Sequence, residues 1–481
     1  MDGDKSDTTT EFLHENVPST SVPMCSSDII AEAVTNINGD LGSTTLNLLK
    51  KLGVEEKRRF FDVDGCVQWI KSKGFKRIAL QFPDYMLPFA SQVIYWLEQE
   101  INATMFILAD TSYRSCCVDD IAAEHANADS IIHYGEACLS EYSSRFPVRY
   151  VFGNYSVDTK SFSNAIESNR TRLTSNCVLL YDVAYTNFIE ANYESSINLL
   201  IPNLINAIPS TTNVAPTASG DIISLGRKIP ENFADLSNVT VVFMGSDDSP
   251  LLTLWLMTHT NCTNVLSYDA CSGCHCFFPS NSLRQLKKRL FLIEKLKDAA
   301  TIGAVVCSLG ISGYVEATNR LATLCANANK KFYVISVGKL NVAKLSNFAT
   351  DIDAFVIISC PFGIILNTAD FYSPVVSFFE AEFALNPAKE PFVLNGWTTD
   401  YRVFKNDNDA DFSLVSSKIR SMHVSETSTS PASNQISLYN AGSYFGDKAW
   451  KGLDDTRTGD ESVELCEGRK GVASHYESEA I

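Results

Sequence analysis

Short apolar runs alternate with longer amphipathic segments along the middle of the chain. The first runs begin at Arg77, Thr104, Ser130 and Val148, and they are rich in the β-branched, aromatic and other apolar residues that suit buried strands. Helical patterns at residues 91–100 and 118–128 separate them. Strands that are apolar on both faces and separated by helices are typical of parallel βαβ units. The pattern therefore predicts an α/β fold.

The same pattern restarts twice further along the chain. A second set of strands is predicted at residues 177–182, 239–245 and 264–269, and a third set at residues 302–310, 331–338 and 354–360. The clearest helix, residues 282–299, carries its apolar stripe on Leu283, Leu286, Leu290, Ile293 and Leu296. The sequence thus predicts three small doubly wound α/β domains.

Both ends of the chain lack this periodicity. Residues 1–45 and 408–481 are rich in Ser, Thr, Asp and Asn, and such segments bury too little apolar surface to offset the entropy of ordering. We expect two disordered acidic or polar tails flanking domains at residues 46–152, 153–299 and 300–407. Residues 209–220, rich in Thr and Pro, are expected to form a surface loop.

The net charge limits the kinds of partner that the chain can bind, and the positions of its cysteines indicate the compartment in which it resides. The 481 residues include 56 acidic and 39 basic side chains, a net charge of −17, which argues against nucleic acid or an anionic membrane as the main partner. The acidic N-terminal sequence shows no apolar signal core. Several of the 14 cysteines lie inside apolar runs, among them Cys177, Cys307 and Cys325. Reduced thiols in a cytoplasmic protein are therefore expected.

Three cysteines follow predicted strands, namely Cys117, Cys138 and Cys360. Since α/β folds build their sites at the carboxyl ends of parallel strands, these cysteines could converge on one soft metal centre. Three thiolates are one fewer than the four that usually hold an iron–sulfur cluster, so one iron would remain open. Taken singly, each is better explained as a buried structural cysteine, and only the three together favour a shared metal centre. Cys116 adjoins Cys117, and only one of the two neighbours is expected to point at the centre.

A second cysteine group contains Cys271, Cys274, His275 and Cys276. Its C-x-x-C spacing matches half of a zinc site, but a closed site needs a second pair, which the neighbouring sequence does not offer. The interpretations left open are a flexible loop ahead of the helix at residues 282–299, a zinc site and a redox pair. The sequence favours the loop.

Several stretches of the chain match a known family. Arg77-Ile-Ala-Leu-Gln-Phe-Pro-Asp, Met105-Phe-Ile-Leu-Ala-Asp-Thr-Ser-Tyr-Arg-Ser-Cys-Cys-Val-Asp and Ile132-His-Tyr-Gly-Glu-Ala-Cys-Leu-Ser closely resemble the diphthamide biosynthesis protein 1/protein 2 family. Val337-Gly-Lys-Leu-Asn, Ile358-Ser-Cys-Pro and Phe371-Tyr-Ser-Pro-Val-Val resemble the second of its two paralogues. The resemblance spans residues from about 58 to 405.

The resemblance implies three Rossmann-like parallel-sheet domains in a pseudo-threefold arrangement, and a role in the first step of diphthamide synthesis. In that step a 3-amino-3-carboxypropyl group passes from S-adenosylmethionine to a histidine of translation elongation factor 2. The resemblance also implies a [4Fe–4S] cluster, and the positions that match the family's ligands are Cys117, Cys138 and Cys360. The implied partners are the catalytic paralogue (protein 1 of the family) in a heterodimer, and an electron-donor protein.

By the same resemblance this chain is an accessory subunit that assists reduction of the catalytic subunit's cluster and is not itself the catalyst. Two departures from the family pattern bear on that role. Arg114 stands where the family has a glycine, and two candidate ligands fall in the first domain with none in the second. They leave open a cluster-free scaffold that only stabilises the catalytic paralogue, and either Cys116 or Cys117 as the first ligand.

Overall fold

A computed structural model describes residues 40–108, 114–140, 146–201, 203–211, 221–246, 249–338, 340–364, 367–386 and 396–400, together with four dipeptides nearer the C-terminus. The chain divides into two compact units, Met1–Val424 and Ser425–Ile481. In the second unit the described residues form one hairpin, in which Gly471–Val472 pairs with His475–Tyr476. No helix among the described residues is long and apolar enough to cross a bilayer.

Four parallel strands form the first sheet of the larger unit. They are β1 Arg77–Gln81, β2 Thr104–Ile107, β3 Ser130–Tyr134 and β4 Val148–Val151, in the order β2-β1-β3-β4. The helices of this part are α1 Asp40–Lys51, α2 Val54–Phe60, α3 Val63–Lys73, α4 Leu87–Glu98 and α5 Asp120–His125. Every residue of β3 is buried, including its polar residues Ser130 and His133.

Five strands form the second sheet. They are β5 Asn176–Tyr181, β6 Leu204–Asn206, β10 Val239–Met244, β11 Cys262–Tyr268 and β12 His275–Pro279, in the order β12-β11-β10-β5-β6. Only β12 is antiparallel to its neighbour. A small antiparallel sheet adjoins it, with β7 Ile208–Pro209, β8 Asp221–Ser224 and β9 Arg227–Pro230. The helices are α6 Thr159–Asn169, α7 Thr186–Asn192, α8 Asn198–Leu200 and α9 Pro250–Thr258.

The third sheet is again four-stranded and parallel. Its strands are β13 Thr301–Val306, β14 Lys331–Ser336, β15 Ala354–Ile358 and β16 Val375–Ser377, in the order β14-β13-β15-β16. Its helices are α10 Ser282–Asp298, α11 Tyr314–Asn327, α12 Val342–Ser346 and α13 Phe378–Leu385. A short hairpin, β17 Asp411–Phe412 with β18 Ile419–Arg420, follows in the same unit.

All ten strands expected from the apolar runs are present, and the α/β prediction is confirmed. Several of them end earlier than expected, and the largest difference is in β13, which ends at Val306 rather than at residue 310. The sequence missed β6, β12, β16 and the small antiparallel sheet. Consequently Cys276 lies in a strand that pairs with β11, so the expected loop of residues 271–276 is only partly a loop. The predicted domain boundaries stay predictions, although each large sheet falls within one predicted range.

The predicted tail of residues 1–45 overlaps helix α1. Thr45 is fully buried, and its hydroxyl lies 3.0 Å from the hydroxyl of Tyr155. Leu49, one turn further on, is also fully buried. Helix α1 begins at Asp40, a few residues before the end of the predicted tail at residue 45. The rest of both predicted tails, apart from the two short hairpins, lies outside the described residues, as do residues 212–220 of the predicted surface loop.

Helix α10 is rotated relative to its predicted apolar stripe. Leu283 is 55% exposed, whereas Arg289 and Leu292 face the interior. Arg289 is buried because Glu380 of α13 meets it there, with Nε to Oε1 at 2.6 Å and Nη2 to Oε2 at 2.5 Å. Trp397 Nε1 and the Ser377 backbone N–H also donate to Glu380. Both carboxylate oxygens are therefore satisfied, as a buried charge requires.

We expect Glu380→Gln to lower the free energy of unfolding by about 3–5 kcal/mol, because it leaves the Arg289 charge buried without its partner. The matched control is Glu294→Gln, which removes the partner of Lys297 on the outer face of the same helix and should cost at most about 1 kcal/mol. Urea unfolding followed by circular dichroism measures both. Equal losses in the two variants would show that the buried pair does not hold α10 against α13.

Candidate metal centre

Four cysteine thiols meet where strand ends of the first and third sheets come together. The sulfur atoms of Cys116, Cys117, Cys138 and Cys360 all lie within 4.8 Å of one another. Cys116 Sγ is 3.9 Å from Cys360 Sγ, and Cys138 Sγ is 3.9 Å from Cys117 Sγ. Each residue is at most 5% exposed. Within the described part of the chain no other group of three or more Cys, His, Asp or Glu side chains has a metal-binding arrangement.

Backbone hydrogen bonds fix the three thiols of the first sheet. The Cys117 N–H donates to the Arg114 carbonyl at 3.1 Å, which closes a turn just before α5. The Cys138 N–H donates to the Cys116 carbonyl at 3.0 Å and joins the segment after β3 to the segment after β2. The chain leaves β3 through Gly135, whose φ of 84° favours glycine. Neighbouring strand ends thus bring the thiols together.

Gln81, the last residue of β1, forms hydrogen bonds with the backbone of the segment that contains Cys117 and Asp119. Its Nε2 donates to the Cys117 carbonyl at 2.7 Å, and its Oε1 accepts from the Asp119 N–H at 3.1 Å. The side chain is 1% exposed, so both groups satisfy backbone atoms that water cannot reach. Gln81 therefore fixes the direction in which the Cys116–Cys117 turn faces.

Arg114 connects the first sheet to the third. Cys360 follows β15 and begins a short 3₁₀ turn over Pro361–Gly363. The Arg114 Nη1 donates to the carbonyl of Phe362 in that turn at 2.7 Å. The residue that departs from the family pattern is therefore part of the contact that brings Cys360 towards the other three thiols.

The second sheet supplies no thiol, but its small antiparallel neighbour supports Cys138. Leu225 and Gly226 form the turn between β8 and β9, with φ values of 48° and 70°. A Cβ on Gly226 would lie 2.5 Å from Leu139 Cβ and 3.1 Å from the Cys138 carbonyl oxygen. Leu139 itself has a φ of 54°. Only a glycine lets the turn approach the Cys138 backbone so closely.

The pKa values of Cys117 and Cys138 are shifted in opposite directions. Hydrogen bonding with Cys116, Cys117 and Cys360 lowers the pKa of Cys138 well below its usual range. Hydrogen bonding with Cys116 raises the pKa of Cys117 well above it. The group therefore favours a thiolate at Cys138, and a thiolate is the form of cysteine that binds metal. Binding of a soft cation would release the remaining thiol protons.

Two kinds of metal group suit a buried set of four thiols. A single tetrahedral Zn²⁺ at about 2.3 Å from each sulfur needs sulfurs about 3.8 Å apart, which matches the two 3.9 Å separations. An iron–sulfur cluster also takes cysteine thiolates, but each binds a different iron, so the sulfurs would lie further apart. The chemistry of the four donors suits both groups, and a cluster would bind with the sulfurs further apart than these 3.9 Å separations.

A group of ionisable side chains lies at the neighbouring strand ends and was not found by sequence reasoning. Burial raises the pKa of Glu136 to about 7 and that of Asp182 to about 6. Burial lowers the pKa of Arg227 to about 10, and its Nη2 donates to the Tyr181 carbonyl at 3.2 Å. Ser249 Oγ donates to Asp182 at 2.5 Å. No sequence motif predicts this group, because its members come from four separate segments of the chain.

The predicted ligands Cys117, Cys138 and Cys360 are thus brought together. The expectation that only one of the adjacent pair points at the centre was wrong, since Cys116 contributes its sulfur as well. Cys271 and Cys274 are exposed, and Cys271 Sγ lies 3.8 Å from the Tyr185 hydroxyl. This second cysteine group does not assemble a site of three ligands among the described residues.

Comparison with known proteins identifies the family. The family model described as "Putative diphthamide synthesis protein" matches residues 82–394, well over half of the chain. The chain belongs to the diphthamide synthesis protein family. It is 38% identical to the 2-(3-amino-3-carboxypropyl)histidine synthase subunit 2 of Caenorhabditis elegans, over 90% of this chain and 94% of that protein. Its identity to the Xenopus laevis protein of the same name is 34%, over 87% and 92% of the two chains.

Solved structures of this family share the fold. The crystal structure of Dph2 from Pyrococcus horikoshii covers 69% of this chain and 94% of its own, with a TM-score of 0.52 and 20% sequence identity. A second crystal structure of that protein, with a 4Fe-4S cluster, covers 70% of this chain and 93% of its own at a TM-score of 0.52 and 19% identity. The diphthamide synthesis fold therefore extends over most of the described residues.

Metal content separates ligands from structural cysteines. Cys138→Ser and Cys360→Ser should each reduce bound metal from a full site to less than about a tenth, because serine is a poor ligand for soft metals. Cys325→Ser is the matched control, since Cys325 is fully buried in α11, away from the four thiols. It should cost about 1–3 kcal/mol of stability yet keep the metal. Elemental analysis of anaerobically purified protein measures the metal content of each variant. A full complement of metal in Cys138→Ser would show that Cys138 is not a ligand.

The turn at Gly226 should also matter for metal binding. Gly226→Ala should weaken metal affinity by about tenfold or more, since the new Cβ displaces the Cys138 backbone. Gly74→Ala is the matched control, because Gly74 has a similar φ of 69° and nothing within 4 Å of a Cβ. Both variants share the backbone strain, and only Gly226→Ala should lose metal in a chelator competition. Equal affinities would show that the turn does not position Cys138.

Proposed function

We propose that this chain is the accessory iron–sulfur subunit of the complex that carries out the first step of diphthamide biosynthesis. In that step 3-amino-3-carboxypropyl is transferred from S-adenosylmethionine to a histidine of translation elongation factor 2. The chain pairs with the catalytic paralogue in the cytoplasm and accepts electrons from a donor protein. The single observation that carries the proposal is the buried set of four thiols at the strand ends.

Three lines of support favour an iron–sulfur cluster over zinc in this set. The chain belongs to the diphthamide synthesis family, whose Pyrococcus horikoshii Dph2 has been crystallised with a 4Fe-4S cluster. The relatives that share about a third of its residues are named as synthase subunits. The thiols come from two sheets and are held by backbone contacts rather than by a compact C-x-x-C knuckle. When bound, the cluster would supply one-electron transfer to the catalytic subunit.

The residues of this chain would hold and shield that group. Cys117, Cys138 and Cys360 are the proposed ligands, and burial of all three excludes bulk water from the centre. Gln81 and Arg114 keep the two sheets in register around it. A site built in this way suits electron transfer, because little rearrangement accompanies the change of charge.

Cys116 decides whether the cluster has three or four cysteine ligands. With three ligands, Cys116→Ser keeps most of the iron while Cys117→Ser loses it, and this is the result that the family ligand pattern leads us to expect. With four ligands both variants lose iron, and no iron remains open. Iron content and the electron paramagnetic resonance spectrum of the two reduced variants, compared side by side, distinguish the two cases.

The role is tested with the heterodimer formed with the catalytic paralogue. We expect the Cys138→Ser heterodimer to assemble normally and to transfer aminocarboxypropyl at near the wild-type rate when dithionite reduces the catalytic subunit directly. When a protein electron donor is the reductant, the rate should fall by about a hundredfold, since the electron route through this subunit is broken. Mass spectrometry of elongation factor 2 measures the transfer.

The scaffold alternative gives a different result in the same assay. If this chain only stabilises its partner, the Cys138→Ser heterodimer is equally active with either reductant. A heterodimer that fails with both reductants, despite normal assembly, would also contradict the accessory role, because the cysteine would then be needed for the transfer itself.

A further inference from the structure

A basic groove lies on the outer face of α10, on the side of the molecule formed by the third sheet. The exposed residues Arg284, Lys287, Lys288, Phe291 and Lys295 recur at intervals of three, four and seven along this helix, so they form one continuous stripe. The opposite wall is the segment that leads into β16, with Phe371, Tyr372 and Pro374. The groove encloses about 890 Å³.

Among the described residues, the charges that line the groove are all positive. Four cations line it, and no carboxylate is found among its described lining residues. Within the described part of the chain, none of Arg284, Lys287, Lys288 and Lys295 forms an ion pair, whereas Lys297 of the same helix pairs with Glu294 at 2.6 Å. Like charges spaced three and four residues apart on a helix repel each other. An acidic ligand would relieve that repulsion.

Apolar surface accompanies the cations. Phe291 is 61% exposed in the middle of the stripe, and Tyr372 is 82% exposed on the opposite wall. Lys295 Nζ lies 4.9 Å from the centre of the Phe291 ring, so part of the charge is spread over the aromatic face. Exposed aromatic rings flanked by charges are typical of protein-interaction surfaces.

Hydrogen bonds hold residues on both walls of the groove. Arg289, on the inner face of the same helix, is fixed by its paired hydrogen bonds to Glu380. On the opposite wall the Phe371 N–H donates to the Thr368 carbonyl at 3.2 Å, and Ser373 Oγ donates to the Ile352 carbonyl at 3.1 Å. A ligand would therefore bind a preformed surface and lose little free energy to ordering it.

We propose that this groove binds an acidic segment of a protein partner, with an aromatic or aliphatic side chain packed on Phe291 and Tyr372. From Arg284 to Lys295 the helix extends for about 16 Å, which an extended segment of about five residues would span. This short, discrete stripe on a chain of net charge −17 suits an acidic peptide better than nucleic acid, which needs a longer basic track. The proposal is independent of the metal centre.

The test uses the full-length protein and a fluorescein-labelled peptide, Glu-Asp-Phe-Glu-Asp-Leu-Glu, with binding measured by fluorescence anisotropy. Lys287→Glu/Lys288→Glu should weaken binding by at least about tenfold, because attraction becomes repulsion. Lys71→Glu/Lys73→Glu is the matched control: it makes the same change in net charge on the exposed end of α3 and should change affinity less than about twofold. Circular dichroism verifies that both variants are folded.

The aromatic part is tested separately. Phe291→Ala should weaken peptide binding by about three- to tenfold at the salt concentration used for the wild-type protein. A peptide with Ser in place of Phe and Leu should show a similar loss of affinity for the wild-type protein. Equal losses in the Lys71/Lys73 and Lys287/Lys288 variants would overturn the proposal, as would absence of saturable binding. Tighter binding of a fluorescein-labelled oligouridylate of equal charge would also overturn it, because the groove would then be a nucleic-acid site.

Discussion

The meeting of four buried thiols imposes the strictest requirement on this structure. Sulfur atoms from Cys116, Cys117, Cys138 and Cys360 lie within 4.8 Å of one another, although the last follows a strand of a different sheet and is more than 200 residues away. Such closeness demands that the first and third sheets hold a fixed relative position. The four thiols contact one another at these distances, and a soft metal group would bind them as thiolates in place of their protons.

Several otherwise unrelated features serve this requirement. Gln81 fixes the turn that carries the adjacent cysteine pair, and Arg114 ties that turn to the segment after Cys360. The glycine at position 226 lets the turn of the small antiparallel sheet support the Cys138 backbone. Two of the large sheets therefore supply sulfur to the centre, and the small antiparallel sheet supports one of the thiols. The buried Arg289–Glu380 pair holds the helix that borders the third sheet.

Much of the fold and part of the site could be predicted from the sequence. Strands buried on both faces, such as Ala354–Ile358, leave an unambiguous apolar run, and cysteines after such strands point to the carboxyl edge of the sheet. The direction of Cys116 could not be predicted, because it depends on a turn fixed by Gln81 from another strand. The burial of Arg289 could not be predicted either, since its partner Glu380 lies 91 positions away. Short edge strands such as His275–Pro279 depend on pairing that periodicity does not reveal.

The most direct test of the account is a native mass spectrum of the anaerobically purified chain. The account predicts a bound mass equal to four iron and four sulfide ions, which disappears together with the visible absorption when Cys138 or Cys360 is replaced by serine. The two 3.9 Å sulfur separations match one tetrahedral zinc ion, which makes zinc the competing outcome. A spectrum that shows a single zinc ion and never iron would contradict the central claim.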